Sequence, residues 1–319
     1  MLSRYAPGAT LTDASLKSVI PSLAKMEDAS AELETLLRDI PTHHRVACAD
    51  ARQLSSLASG SVHLIVTSPP YWTLKEYNHP EGQLGDIESY ATFVEELAQV
   101  WNECHRVLVP GGRLVVVVGD VCLARRKHGR HAVMPLHASI QESCRKIGFT
   151  NLAPIIWAKI ANASLETSNG SSFLGKPYEP NSIIKNDIEY ILMQRKEGGY
   201  RSPDTAARVL SVIPAKLHHE WFRQVWAIPG ASTKEHPAPF PLELATRLVR
   251  MFSFVGDTVL DPFLGTGTTC LAASICGRNS IGLDIDPEYV QMAYRRLRAE
   301  HDRLFSNATI DRSDKWSES

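Results

Sequence analysis

Hydrophobic positions along this 319-residue chain fall into two patterns. Short and nearly continuous apolar runs, at residues 62–66 and 114–118, are typical of strands that are buried on both faces of a parallel sheet. Residues 90–107, between these two runs, and residues 288–297, near the end of the chain, are predicted to form helices. This alternation favours an α/β fold built on a mostly parallel sheet.

The first 43 residues are predicted to be a helical extension. The spacing of Leu16, Val19 and Leu23 is helical, and a second amphipathic stretch covers residues 29–40. No chemical motif is recognisable in either stretch. We expect the extension to pad the sheet, with pairing to another copy or contact with DNA as alternatives.

The segment Ser68-Pro69-Pro70-Tyr71 follows the predicted strand at residues 62–66. Proline fixes φ and removes a backbone donor, so the two prolines make the chain leave the sheet as a rigid, extended elbow. We expect the elbow to hold a hydroxyl, unpaired carbonyl groups and an aromatic ring at the carboxyl edge, where open α/β sheets bind ligands. These groups suit a planar amine such as a nucleobase. The alternative is a proline-rich turn that only ends a strand.

A second predicted strand runs into a glycine turn at residues 259–269, with the sequence V-L-D-P-F-L-G-T-G-T-T. Glycine permits a close backbone approach to a ligand, and the N-terminus of a helix beginning near Thr268 favours negative charge. Asp284 ends another predicted strand 23 residues after Asp261, which is the usual distance for a carboxylate that holds ribose hydroxyls. Cys270 replaces the third glycine of the dinucleotide fingerprint, which argues against an NAD site.

Together these segments resemble the amino-methylating DNA methyltransferases, which move a methyl group from S-adenosylmethionine to an exocyclic base nitrogen. Residues 68–71 are similar to the catalytic tetrapeptide of that family, and residues 261–267 are similar to its cofactor motif. Residues 49–50, 187–192 and 234–241 resemble its adenine-binding acid, a late sheet strand and the segment ahead of the cofactor motif. The catalytic motif comes first, as in the circularly permuted order called the beta class.

The resemblance implies a Rossmann-like methyltransferase fold: a mostly parallel seven-stranded sheet, helices on both faces and a small variable target-recognition region. It also implies the cofactor S-adenosyl-L-methionine. Asp284 would hold the ribose and Asp50 the adenine, while His236 and Pro237 would close the methionine side. The full set of implied cofactor contacts is Asp50, His236, Pro237, Asp261, Phe263, Gly265, Thr266, Gly267, Thr268 and Asp284.

The implied catalytic residues are Ser68, Pro69, Pro70 and Tyr71. The target base would rotate out of the duplex, at a cost of roughly a few kcal/mol. Its amine would donate hydrogen bonds to the Ser68 hydroxyl and the Pro69 carbonyl, while Tyr71 and Trp72 would stack on the base. The methyl would transfer in one in-line displacement, with no metal and no covalent enzyme intermediate.

Members of this family with serine before the two prolines mostly methylate cytosine N4, and those with aspartate or asparagine mostly methylate adenine N6. Because Ser68 stands there, we predict methylation of cytosine N4 in duplex DNA, with adenine N6 as the alternative. Methylation of RNA or protein is less favoured, because those enzymes usually place the cofactor motif first. An inactive DNA-binding subunit is also less favoured, because both motifs are intact.

The formal net charge of the chain is −1, so binding to DNA must depend on local charge. The run Arg125, Arg126, Lys127 and Arg130 contains no acid and follows a predicted strand, although it is also typical of a solvated loop. Residues 195–232 are predicted to read DNA sequence, with the aromatic side chains there alternatively forming core. The DNA contacts predicted from these observations are Trp72, Arg125, Arg126, Lys127, Arg130, Arg201, Arg208, Lys216 and Arg223.

These signals divide the chain into six parts. They are a helical extension (1–43), a catalytic half (44–160), a mobile loop with the late strand (161–194), a target-recognition region (195–232), a cofactor-binding half (233–303) and a polar tail that we expect to be frayed (304–319).

Composition excludes several other classes of protein. The six cysteines show no paired spacing, which indicates thiols in a reducing cytoplasm rather than a zinc site. No Pro-Cys dipeptide occurs, which argues against methylation of cytosine C5. No apolar run is long enough to cross a membrane, and residues 1–10 lack the apolar core of a signal peptide. We expect a nucleoid-associated protein of the bacterial or archaeal cytosol. Its expected partner is double-stranded DNA, with a cognate restriction endonuclease and a second copy of the chain as further candidate partners.

Overall fold

The computed structural model describes residues 13–74, 78, 81–123, 129, 132–159, 187–231, 240–304 and 307–313. The strands among these residues are Thr42–Cys48 (β1), Val62–Thr67 (β2), Leu108–Val118 (β3), Val121–Leu123 (β4), Ala132–Met134 (β5), Phe149–Ala158 (β6), Ile188–Lys196 (β7), Val225–Ala227 (β8), Thr258–Asp261 (β9), Asn279–Asp284 (β10) and Ala308–Ser313 (β11). The helices are Asp13–Lys25 (α1), Glu27–Asp39 (α2), Tyr90–Val107 (α3), Leu136–Ile147 (α4), Thr205–Leu210 (α5), Ala215–Trp221 (α6), Leu242–Phe252 (α7), Thr268–Ile275 (α8) and Pro287–Leu304 (α9). Short 3₁₀ turns cover Trp72–Leu74 and Leu84–Asp86.

One sheet contains nine of the described strands, in the order β11-β1-β10-β9-β2-β3-β7-β6-β8. Within it only β7 runs antiparallel to its neighbours, β3 and β6. The predicted α/β fold with a mostly parallel sheet is therefore confirmed. The two edge strands, β11 and β8, extend the predicted seven strands to nine, while β4 and β5 pair separately as a hairpin.

Helices cover both faces of the sheet, as predicted. Along β2, Ile65 packs in a core cluster with Leu97 of α3, whereas the next residue back, Leu64, packs in another cluster with Leu248 of α7. Both residues of β2 have no exposed surface. This explains why the central strands are continuous apolar runs, since side chains on either face of the sheet meet a helix layer.

The C-terminal segment differs from the prediction of a frayed tail. Residues 308–313 form β11, which pairs in parallel with β1 along its whole length. Ile310 is 9% exposed and packs with Val46, while the side chains of His43 and Asp311 share a hydrogen bond at 2.6 Å. The strand is held mainly by backbone hydrogen bonds, which a polar composition does not reveal.

The described residues 195–231 contribute to the main core through Trp221 and Trp226. Trp221 and Trp226 are 6% and 2% exposed, and the Trp226 indole donates to the Trp221 carbonyl at 2.8 Å. The alternative that the aromatic side chains form core is therefore confirmed for Trp221 and Trp226, whereas Phe222 is 49% exposed. The predicted N-terminal extension packs against this segment, because Leu16 and Leu33 share a cluster with Val209 of α5. None of the described helices combines the length and apolar character needed to span a membrane.

Candidate active site

The Pro-Pro elbow begins where β2 ends, next to the end of β9. The Thr67 hydroxyl donates to Asp261 Oδ1 at 2.7 Å, which ties the two strand ends together. Pro69 and Pro70 are buried, whereas Ser68 is partly exposed. Because Thr67 anchors the start of the elbow and the two prolines are buried, Ser68 lies at the carboxyl edge of the sheet, as the sequence predicts.

An open cleft of about 590 Å³ lies at this edge. It is bounded by the segments that follow β1, β2, β9 and β10, together with the loop ahead of the second 3₁₀ turn. Its lining residues are Ala49, Asp50, Ala51, Ser68, Pro69, Pro70, Gly82, Gln83, Leu84, Pro262, Phe263, Asp284, Ile285 and Tyr289. The structure thus brings the predicted catalytic elbow and the two predicted cofactor carboxylates into one cavity.

Asp284 is held in place by backbone donors. Its carboxylate accepts hydrogen bonds from Gly265 N at 2.8 Å and from Asp286 N at 3.0 Å. Burial raises the pKa of Asp284 to about 6, because desolvation penalises the charged form more than these backbone hydrogen bonds stabilise it. The site therefore contains a partly exposed carboxylate that gains from further hydrogen-bond donors, such as the hydroxyls of a sugar.

Asp50 lies across the cleft in a charged network. Arg52 donates to both of its carboxylate oxygens, at 2.6 to 3.0 Å, and also to Glu96 at 2.5 Å. A further guanidinium bond, at 3.2 Å, reaches the carbonyl of Gly82, which also lines the cleft. Hydrogen bonds to Asp50 are the main cause of a raised pKa for Arg52, so this cation stays charged.

Three side chains that the sequence prediction placed near the cofactor face elsewhere. Asp261 is 1% exposed and is enclosed under the glycine turn, where burial raises its pKa to about 7. The hydroxyls of Thr266 and Thr268 accept hydrogen bonds from Arg296 of α9, at 3.1 and 3.0 Å. Asp261, Thr266 and Thr268 therefore support the turn and do not line the cleft.

The glycine turn is shaped by its contact with α9. Gly267 has a φ of +77°, and a Cβ atom there would lie 2.9 Å from the Cβ of Ala293. Gly265 has a φ of +48° and points its N–H at Asp284. The positive φ angles and the close helix contact explain why glycine stands at both positions. Phe263, ahead of the two glycines, lines the cleft. Its ring packs edge-on against Trp101, with ring centroids 6.4 Å apart.

The aromatic residues of the elbow are more enclosed than predicted. Tyr71 is 5% exposed and donates its hydroxyl to Glu189 at 3.0 Å, and Trp72 is 8% exposed and donates its indole N–H to the Ile87 carbonyl at 2.7 Å. Trp72 also packs edge-on against Tyr90. The polar atom and the ring of Trp72 are thus both used in the core, and its contact with DNA stays a prediction.

Predicted DNA contacts in 195–232 do not converge on the cleft. Arg201 forms a double ion pair with Asp257, at 2.5 Å, at the amino end of β9 and so on the opposite edge of the sheet. It is therefore not a contact of the active edge. Arg208, Lys216 and Arg223 lie on or next to α5 and α6, and none of them lines the cleft. Six predicted residues lie outside the described ones: Arg125, Arg126, Lys127, Arg130, His236 and Pro237.

The prediction from sequence missed the wall formed by Gly82, Gln83 and Leu84, and also Ile285 and Tyr289. Tyr289 is 8% exposed, and burial raises the pKa of its hydroxyl. Ile285 and Tyr289 could have been predicted from the sequence, because both lie within five residues of Asp284. Helix α9 begins between them. Gly82 gave no such signal, because only the folded chain brings it within reach of Arg52.

Comparison with known proteins agrees with the geometry. A family model described as DNA methylase matches residues 62–295, more than half of the chain. The type II methyltransferase M.MjaI of Methanocaldococcus jannaschii is 36% identical in an alignment that covers 86% of this chain and 97% of that protein. The DNA adenine methyltransferase YhdJ of Escherichia coli is 29% identical, with 77% and 79% covered.

A solved structure adds the cofactor. The Thermus thermophilus protein TTHA0409, in complex with S-adenosyl-L-methionine, matches with a TM-score of 0.70 and 51% identity over 86% of this chain and 99% of that one. The cleft described above fits such a cofactor, because it offers a carboxylate at Asp284, a second at Asp50 and an aromatic wall at Phe263. The chain therefore belongs to the DNA methylase family and is an S-adenosylmethionine-dependent DNA methyltransferase.

Proposed function

We propose that the protein methylates the exocyclic N4 amine of cytosine in duplex DNA. The observation that carries this proposal is the position of Ser68, a hydroxyl residue that lines the same cleft as Asp50, Phe263 and Asp284. A planar amine held at Ser68 would then lie beside the bound cofactor. Serine at this position is typical of the cytosine-methylating members of the family.

We assign the cofactor contacts as follows. Asp284 accepts hydrogen bonds from the ribose hydroxyls, and Asp50 accepts from the adenine amine while Arg52 holds its carboxylate. Phe263, Ile285 and Tyr289 supply apolar walls. S-adenosylmethionine supplies the reaction with a methyl group on a positively charged sulfur. His236 and Pro237 remain predicted contacts of its methionine end.

The elbow prepares the nucleophile. The cytosine amine is a poor nucleophile because its lone pair is conjugated with the ring. Hydrogen bonds donated by the amine to the Ser68 hydroxyl and the Pro69 carbonyl draw the nitrogen toward tetrahedral geometry and localise that lone pair. The base reaches the elbow by rotation out of the duplex. Most of the acceleration then comes from positioning, for which the rigid Pro69-Pro70 backbone is suited.

The second candidate function is methylation of adenine N6. It is favoured by one observation, the 29% identity to the DNA adenine methyltransferase YhdJ across most of both chains. The amines of adenine and cytosine offer the same two donors, so the elbow accommodates either. The distinction rests on the hydroxyl of Ser68, which accepts a hydrogen bond but cannot take up a full proton as a carboxylate does.

The test is mass spectrometry of nucleosides from unmethylated plasmid that has been incubated with the protein and S-adenosylmethionine. We expect 4-methylcytosine, formed about 100-fold more slowly by a Ser68→Ala variant that still binds the cofactor. Formation of 6-methyladenine would establish the second candidate instead. Absence of both products, from protein shown to bind the cofactor, would contradict both.

The biological partner follows from the relatives. M.MjaI is named a type II methyltransferase, the modification enzyme class of restriction systems. We propose that this protein likewise protects a DNA site from a cognate endonuclease. Plasmid that has been methylated to completion should become resistant to a restriction enzyme that cuts at the methylated sequence.

A further inference from the structure

A partly buried charged contact lies behind the catalytic elbow, at the start of β7. Glu189 is the centre of this contact, with a side chain that is only 12% exposed. Its Oε2 accepts a hydrogen bond from the Tyr71 hydroxyl at 3.0 Å, and its Oε1 forms an ion pair with the Lys159 ammonium. The hydrogen bond links the late strand of the sheet directly to the residue that follows the two prolines.

The end of β3 leaves room for this contact. Val118 pairs with Tyr190, so Gly119 lies beside Glu189. A Cβ atom at Gly119 would lie 3.2 Å from Glu189 Cγ and 3.3 Å from Tyr71 Cε1. Glycine therefore allows the Tyr71 ring and the Glu189 carboxylate to meet behind the elbow.

The backbone beyond the elbow needs such support. Trp72 has a φ of +47°, and among the described residues it is the one non-glycine residue with a positive φ. A side chain in this conformation persists only where the surroundings determine it. Two side-chain hydrogen bonds hold the turn: the Trp72 indole donates to the Ile87 carbonyl, and the neighbouring Tyr71 donates to Glu189.

We propose that Glu189 is a positioning residue for methyl transfer, acting through the Tyr71 hydroxyl. The proposal rests on the proposed function, because it concerns the geometry of the same elbow. A carboxylate makes a stronger and more directional hydrogen bond than a neutral acceptor. The Lys159 ammonium holds Oε1 of Glu189, which leaves Oε2 for the Tyr71 hydroxyl. The carboxylate thereby holds the Tyr71 ring, and with it the orientation of the Ser68 hydroxyl and the Pro69 carbonyl.

A double-mutant cycle in Tyr71 and Glu189 tests the proposal. Tyr71→Phe removes the hydroxyl and keeps the ring, while Glu189→Ala removes the acceptor. We expect each variant to lower kcat by about 10-fold, and the double variant to lower it by about 10-fold as well, because both remove the same interaction. The Kd for S-adenosylmethionine should stay within about twofold of that of the wild type, since neither side chain lines the cleft.

Two further variants serve as controls. Glu189→Gln keeps an acceptor of the same size, and we expect it to recover most of the activity that Glu189→Ala loses. Glu197→Ala removes an exposed carboxylate just beyond the other end of β7, and we expect wild-type activity. Melting temperatures are measured for all variants, so that loss of folding is separated from loss of turnover.

The proposal is overturned if Glu189→Ala has the kcat of the wild type, if the two single effects multiply in the double variant, or if cofactor affinity falls as much as kcat. Methyl transfer to either base is counted, so the choice of base does not affect the test. A wild-type protein that methylates no DNA contradicts the proposed function. A wild-type protein that methylates DNA beside an equally active Glu189→Ala variant contradicts the positioning role alone.

Discussion

At the scale of single residues, the proposed function assigns the chemistry of the amine and the binding of the cofactor to different side chains of the cleft. Ser68 is held by the end of β2, whereas Asp284 is held by the backbone of Gly265 and Asp286. Both side chains line the cleft, but they are positioned by different strands. Substitution of either residue should therefore affect a different kinetic quantity.

We expect Ser68→Ala to lower kcat by about 100-fold, which is typical for loss of one hydrogen bond made to the reacting group. The Kd for S-adenosylmethionine should remain within about twofold of the wild-type value. Single-turnover methylation and calorimetric titration of the cofactor measure the two quantities. Ser202→Ala, at an exposed serine, is the matched control. An equal loss of kcat and cofactor affinity would remove Ser68 from its assigned role.

The raised pKa of Asp284, about 6, predicts a pH dependence of cofactor binding. In the proposed assignment ribose hydroxyls donate to the charged carboxylate, so binding should favour the deprotonated form. Affinity should thus be full above pH 6 and fall as the pH drops through about 6. Titration of S-adenosylmethionine at a series of pH values on both sides of this pKa measures the effect. In Asp284→Asn the affinity should be weak at every pH.

The same raised pKa has the opposite effect on the stability of the free protein. The unfolded chain loses the proton of Asp284 near its ordinary pKa of 3.8, whereas the folded chain keeps it to about 6. Between these values the folded state binds more protons, so the free energy of unfolding falls as the pH rises. Two other acids lie near Asp284 and can add to the same pH dependence. They are Asp286, which is 3% exposed, and Asp261, for which burial raises the pKa to about 7. The stability of Asp284→Asn is therefore compared with that of the wild type across the same pH range.

At the scale of secondary-structure elements, the walls of the cleft are joined by Arg52. This side chain, 19% exposed, connects the end of β1, helix α3 through Glu96 and the loop at Gly82. A Cβ atom at Gly82 would lie 3.0 Å from the Arg52 guanidinium. The loop is therefore packed directly onto the cation that holds Asp50.

We expect Arg52→Gln to raise the Kd for S-adenosylmethionine by about 10-fold, since hydrogen bonds to charged groups contribute about 1.5–3 kcal/mol each and Asp50 loses its partner. At saturating cofactor kcat should change little, because the elbow is untouched. Calorimetry and steady-state kinetics measure these effects. Arg145→Gln, which breaks an exposed ion pair on α4, should leave both values unchanged. Unchanged cofactor affinity in Arg52→Gln would mean that Asp50 needs no partner.

At the scale of the whole molecule, the carboxyl and amino edges of the sheet carry different groups. The cleft lies at the carboxyl edge. At the amino edge, Arg201 forms an ion pair with Asp257. Asp257 is 5% exposed and also accepts from the backbone N–H of Phe254 at 2.7 Å. Arg201 thus neutralises a buried acid far from the cleft.

Removal of this cation should therefore affect stability and not DNA binding. We expect Arg201→Gln to lower the free energy of unfolding by about 1–3 kcal/mol, because it leaves Asp257 buried without its ion pair. Urea denaturation measures the loss, and the Kd for duplex DNA should be unchanged. Arg223→Gln, at an exposed arginine, should have little effect on stability. A large loss of DNA affinity in Arg201→Gln would restore it as a DNA contact.

Local patterns in the chain were enough to predict the family, the α/β fold and the centre of the site. Ser68, Pro69, Asp50 and Asp284 were all predicted, and all of them line one cleft. They could be predicted because each belongs to a short motif: a strand end followed by a proline elbow, or a strand end that carries a carboxylate. Such motifs depend on neighbouring residues, and these are visible in a sequence.

Tertiary contacts, in turn, determine which side chains face the ligand and which support it. Asp261 and Trp72 lie in the same motifs as the cleft residues, yet both are buried, because strand pairing and helix contacts turn them inward. The links between Arg52 and Gly82 and between Tyr71 and Glu189 join residues that are far apart in the chain. Likewise, β11 is specified by backbone pairing with β1 rather than by its own composition. Contacts of this kind depend on three-dimensional proximity, for which this single sequence carries no local signal.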